Sequence, residues 1–249
     1  MISQQAVDRA HRMFWRRHLL WPAACFFALS MIVMLGLLDL RIADEFFFSR
    51  PAQQWIGAQA WWAVDLIHTG GGWLVRLVGL AALLILVLGF WQPRLSRWRR
   101  DATYLVLALI LVPSVVGVLQ QLTNMDCPWH LDRYGGDRPY TGLLADRPDE
   151  LPRSACYPGA HSSSGFALMG FYFLALGRRP RIARWLLVGG VLLGTFFSIG
   201  QQARGAHFLS HDLASAAIAW LLLLALWRLL LAPPLRPARQ QGVESVAHG

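Results

Sequence analysis

The stretch Arg204-Gly205-Ala206-His207-Phe208-Leu209-Ser210-His211-Asp212 joins two apolar runs, 185–202 and 212–232. Each run is close to the roughly 20 residues a helix needs to cross a bilayer. Titratable groups placed between two such helices are costly, so they point to function. A second segment of the same kind reads Cys156-Tyr157-Pro158-Gly159-Ala160-His161-Ser162-Ser163-Ser164-Gly165 and opens the run 161–177. Imidazole serves as nucleophile, base or acid near neutral pH, and a neighbouring Asp can fix its tautomer.

Three further runs, 18–40, 72–91 and 102–122, are apolar over a similar length. The chain has 249 residues, of which only 15% are charged, and its mean hydropathy is +0.40. That is too apolar for an ordinary soluble domain. The net charge of +9 does not mark a nucleic-acid binder, because the arginines fall in short blocks between the apolar runs. All 23 basic residues are arginine, so a site that wants lysine must use something else. The first run is not a cleaved leader: its apolar core is too long and no small-residue cleavage site follows it. Segment 42–70 mixes Phe46, Phe47, Phe48, Trp55, Trp61 and Trp62 with polar residues, as expected of an interfacial helix or loop.

The arginine blocks orient the spans. Arg9–Arg17, Arg94–Arg100, Arg178–Arg184 and Arg236–Arg239 all fall on one side if the six runs all cross. The expected fold is therefore all-α: six transmembrane helices in one bundle, with both termini cytoplasmic. The membrane domain covers 1–232, and the polar stretch 233–249 reads as a disordered tail. Connections 41–71, 123–160 and 203–211 face outward and carry both histidine clusters. Cys127 and Cys156 flank the long outward loop and read as a disulfide in an oxidising compartment. Cys25, inside the first run, reads as a small buried apolar residue.

The chemistry points to phosphate. Pro158 and Gly159 break the chain before a helix whose first turn carries Ser162, Ser163 and Ser164. Free amides at such a start, with hydroxyl donors, form an anion site. His161 stands there to bond or protonate a phosphate oxygen. In the second cluster Asp212 follows His207 and His211 in a first helical turn. Arg204 supplies a charge that can bind two phosphoryl oxygens. Histidines four apart also suit a metal on a helix face, but no third ligand is evident.

In these residues the chain resembles the type-2 phosphatidic acid phosphatase superfamily of membrane lipid phosphatases. That family has six spans and three outward motifs: Lys-x6-Arg-Pro, Pro-Ser-Gly-His and Ser-Arg-x5-His-x3-Asp. Pro158-Gly159-Ala160-His161 stands at the second motif, and Gly205–Ser210 at the heart of the third. The departures are Gln120 for the lysine, Cys127 before Pro128, and Gln201 six before His207. The acidic residue comes one late, at Asp212, after His211. Arg204, Arg133 and Arg138 are the nearby outward arginines that could replace the missing cations. A branch of the superfamily has a similar Cys-Pro-Trp…Tyr-Gly-Gly loop, which this chain resembles more closely.

The resemblance implies that His207 attacks a lipid phosphate and becomes a phosphohistidine. Asp212, or His211 in its place, holds the other ring nitrogen. Arg204, Arg138, Gly159, Ala160 and Ser162 bind the phosphoryl oxygens, and His161 protonates the leaving oxygen. No metal or cofactor is needed. The implied setting is a bacterial inner membrane, with the site facing the periplasm and a bilayer lipid as substrate: polyprenyl pyrophosphate, lipid A phosphate or a phospholipid phosphate. Other readings are a lipid phosphotransferase, a scaffold or degraded phosphatase without activity, and an intramembrane serine protease built on Ser163-Ser164-Gly165.

Overall fold

The computed structural model describes residues 4–35, 37–143 and 145–232. The polar tail expected at 233–249 lies outside them. Helix α1 (Gln4–Trp15) passes through a wider π-type turn, Arg16–Leu20, into α2 (Trp21–Leu35). The short α3 (Leu38–Ile42) and a π-type turn, Ala43–Phe47, lead to a hairpin of β1 (Phe48–Ser49) and β2 (Gln54–Trp55). A π-type helix, Trp62–Gly70, runs straight on into α4 (Gly71–Leu88). Then follow α5 (Pro93–Ser96), α6 (Arg99–Thr123), α7 (Ala160–Phe166), α8 (Gly170–Leu176), α9 (Pro180–Ala203) and α10 (Leu209–Leu230).

The helices end where local chemistry ends them. Asn124 closes α6 in the left-handed region, with φ 51°, a conformation asparagine tolerates better than most residues. Pro180 starts α9 at the position where a missing N–H costs nothing.

Among the described residues, five helices are long and apolar enough to cross a membrane: Val7–Leu35, Trp62–Leu88, Arg99–His130, Pro180–Ala203 and Leu209–Leu230. Two runs differ in detail from their expected form. The second span starts at Trp62, so part of the supposed interfacial segment is helix. The run expected at 161–177 forms three short pieces, α7, a 3-10 turn at Ala167–Met169, and α8, rather than one membrane-length helix. Its first turn is tightened by Ser162, Ser163 and Ser164, whose hydroxyls donate to the carbonyls of Gly159, Ala160 and His161. Its apolar side packs on glycines of α9: a β-carbon on Gly194 would meet the Phe166 ring at 2.1 Å, and one on Gly190 the Met169 backbone at 2.8 Å.

Helix α10 is central, packed against α2, α6 and α7, while α9 covers α7 and α8. The core between them includes Tyr104, Val112, Phe173, Trp220 and Leu223. The outer helix faces carry large apolar side chains such as Phe27, Leu77, Trp185 and Leu192, as a lipid-facing surface requires. Cys25 is exposed on such a face, not buried. A smaller cluster, Phe48, Trp55, Leu131, Tyr134 and Phe208, roofs one end of the bundle. Helix α9 has 24 residues, so it separates that roof from the Arg178–Arg184 block by about 36 Å.

Candidate active site

Both histidine segments meet under the roof, at the junction of α9, α10 and α7. The turn between α9 and α10 depends on Gly205, at φ 75°. A β-carbon there would be strained in conformation and would strike the Trp55 ring at 2.4 Å. Trp129 N–H donates to the Gly205 carbonyl at 2.9 Å, tying the long loop to this turn. From the far side, the Asp39 carboxylate accepts the Ser210 N–H at 2.9 Å and so caps the start of α10.

His207 is buried, and its Nδ1 lies 3.0 Å from Asp212 Oδ1. The other carboxylate oxygen accepts Gln202 Nε2 at 2.7 Å. A carboxylate only accepts, so Nδ1 carries the proton and Nε2 keeps its lone pair. Asp212 therefore meets the His207 ring from five residues further on. His211 makes no hydrogen bond to that ring. Its side chain is fully buried, makes no well-formed hydrogen bond, and has the Cys156 backbone as a polar neighbour. Its ring rests edge-on against Tyr157 and Phe208.

The backbone of His211 has a structural use. Its carbonyl accepts Gly159 N–H at 3.0 Å, and Ser215 Oγ donates to the Gly159 carbonyl at 2.7 Å. Helix α10 thus holds Gly159 by both polar groups, with His207 packed over it. Among the expected phosphate ligands, Gly159 must be removed, because its amide is already committed. The amides of Ala160, His161 and Ser162 remain the unpaired donors of the α7 first turn. Ser162 is buried, with its hydroxyl turned back to the Gly159 carbonyl at 3.1 Å.

His161 stacks on Phe197 at 4.8 Å, and its Nε2 lies 3.3 Å from the Ile67 carbonyl. Beside it stands His68, whose ring centre is 4.7 Å away. Nothing in the sequence reading had selected His68. Yet His68-Thr69-Gly70-Gly71 heads an apolar run, as His161 does, and that signal was legible.

The positions that lack the family's cations are built in by other bonds: hydrogen bonds at Gln201 and Gln120, a disulfide at Cys127. Gln201 is buried; its Nε2 meets His68 Nδ1 at 2.8 Å, and its Oε1 accepts Arg204 Nη1 at 3.0 Å. Gln120 donates to the Pro158 carbonyl at 2.7 Å, next to the second motif. Cys127 is bonded to Cys156, with Cα atoms 5.2 Å apart. Among the arginines of the described residues, Arg204 alone is joined to this network by hydrogen bonds. Burial lowers its pKa from the ordinary arginine value. Arg138 is held elsewhere, paired with Asp126, which also binds Arg147 Nε at 3.0 Å. Arg133 is likewise paired with Asp44.

The sequence profile of the PAP2 superfamily matches residues 101–233, from the start of α6 through α10. This chain belongs to the PAP2 superfamily. Its members are phosphatases, and the matched region contains both histidine segments and the whole His207–Asp212 arrangement. No curated protein and no solved structure matches the chain. Among the described residues no three His, Cys, Asp or Glu side chains converge as metal ligands.

Proposed function

We propose that this PAP2 protein removes phosphate from a lipid phosphate or pyrophosphate at the extracytoplasmic face of a bacterial inner membrane. The observation that carries the reading is the His207 Nδ1–Asp212 bond of 3.0 Å, which leaves Nε2 as a bare, oriented nucleophile. His207 Nε2 attacks phosphorus in line, forming a P–N bond as the P–O bond to the lipid breaks. His161, whose protonated form the bound phosphate anion favours, gives a proton to the leaving oxygen. Arg204 and the Ala160 and His161 amides stabilise charge on the other oxygens. Water then attacks the phosphohistidine and releases phosphate, with the proton passing back to His161.

An apolar groove of about 470 Å³ favours a lipid substrate. It is lined by Phe46, Phe47, Phe166, Ile199 and Leu213, and it reaches Gln202 and Asp212. The proposed topology has α7–α8 as a short sixth crossing and both termini on the cytoplasmic side. The exposed basic groups Arg94, Arg97 and Arg181 then lie opposite the site.

The test is a lipid-phosphate panel with product analysis, coupled to acid-quench trapping of a phosphoenzyme. Phosphate release with label on His207 is expected. Label on another residue, or a chelator-sensitive reaction without a phosphoenzyme, overturns the mechanism. Labelling of a cysteine introduced near Arg147 only after permeabilisation overturns the topology.

A further inference from the structure

His68 lies outside the matched PAP2 region, but hydrogen bonds determine its state. Arg204 has only donors, so it must take the Oε1 of Gln201. The Gln201 amide therefore presents its NH₂ to His68 Nδ1, at 2.8 Å. Nδ1 is then an acceptor, and the proton of the neutral ring sits on Nε2. His161 is constrained as well, because the Ile67 carbonyl 3.3 Å from its Nε2 can only accept. The two imidazole rings are tilted by 49°, with centres 4.7 Å apart, and no hydrogen bond joins them among the described residues.

His68 is exposed, unlike His207 and Gln201. Its Nε2–H makes no hydrogen bond among the described residues. Gln201 joins His68 to Arg204, and His161, against His68, lies two residues from Gly159, over which His207 packs. An exposed donor of fixed tautomer, held by a buried amide, suits an anionic oxygen.

We propose that His68 is a catalytic residue whose Nε2–H binds a non-bridging oxygen of the phosphoryl group attacked by His207. It supplies charge stabilisation where Gln120, Cys127 and Gln201 bring no cation, and it transfers no proton. Gln201 is its positioning residue. The inference rests on the phosphatase reading above and adds a phosphoryl ligand from outside the matched region.

The experiment compares full-length wild type, His68→Ala and His68→Lys on lipid-phosphate substrates with leaving groups of different acidity. In parallel, the binding of orthovanadate, a five-coordinate phosphoryl mimic, is measured without turnover. For His68→Ala the expected result is a fall in kcat/KM of roughly 10²-fold, alike for every leaving group. Vanadate binding should weaken in step, and His68→Lys, which restores a donor, should recover much of both. A loss that grows with leaving-group basicity and spares vanadate assigns His68 to supporting His161 and overturns the proposal. Wild-type activity and vanadate binding in His68→Ala overturn it too, while leaving the phosphatase reading intact. If wild type hydrolyses nothing yet vanadate binding is lost in His68→Ala, the phosphatase reading fails and the anion site stands.

Discussion

A β-carbon placed on Gly159 would lie 2.5 Å from His207 Nδ1. The glycine has an ordinary backbone conformation, with φ −72°, so its requirement is steric and not conformational. The second motif leaves out a side chain so that His207 of the third can reach the Asp212 carboxylate.

Gly159→Ala should therefore act as a misplacement of His207. The added methyl pushes the ring away from Asp212, while the hydrogen bonds from α10 to the Gly159 backbone keep the loop in place. Activity should fall on the order of 10²-fold or more, with little change in thermal unfolding. Phosphate release and unfolding in the same detergent check both halves. Full activity would show that His207 does not depend on this contact.

Asp212→Asn separates orientation from tautomer. Gln202 donates to one carboxylate oxygen, so the asparagine should keep its oxygen toward Gln202 and turn its NH₂ to His207. His207 Nδ1 must then accept, which moves the ring proton to Nε2 and blocks the lone pair that attacks. The expected loss in kcat is on the order of 10³–10⁴-fold, as for other wrong-tautomer histidines. The phosphoenzyme should vanish with it. Activity within tenfold of wild type would remove Asp212 from its orienting role.

His211→Met makes the opposite prediction. The side chain is fully buried with no well-formed hydrogen bond, the Cys156 backbone being a polar neighbour, and a poorly paired buried polar group costs about 1–3 kcal/mol. A methionine of similar volume should leave stability equal or higher and hold activity within about tenfold, because only the His211 backbone binds Gly159. Phosphorylation of His211 in the trapped enzyme, or inactivity of a well-folded His211→Met, would overturn this assignment.

The membrane class, the approximate positions of most spans and the pairing of Cys127 with Cys156 were readable because apolar length and cysteine placement are local signals. The break in the fourth run was not, since it depends on Phe166 and Met169 meeting Gly194 and Gly190 of another helix. At the site, His161, His207 and Asp212 were legible from their place at helix ends. The division between His211 and Asp212 was not, because adjacent residues on a helix point in different directions and only the packed structure says which faces His207. Gln201 looked like a loss against the family pattern, and Gln202 was not singled out. Their role lies in side-chain partners, His68 and Asp212, that sequence spacing does not reveal.

The roof offers a pH test. A hydrogen bond from the Arg133 guanidinium holds the Asp44 carboxyl below the usual carboxylate range. Arg50 adds a second contact at 3.0 Å. Because the folded pKa lies below the unfolded value of about 4, the pair contributes stability that is fully present above that value. It is lost as pH falls through the lower, folded pKa. Asp44→Asn should therefore lower the unfolding temperature at pH 7, and the gap to wild type should close as the pH falls below about 4. Arg133 is partly exposed, so the effect should be small and should shrink in high salt. A gap that stays constant through acid pH would mean that the asparagine disturbs packing in the roof and that the ion pair contributes nothing.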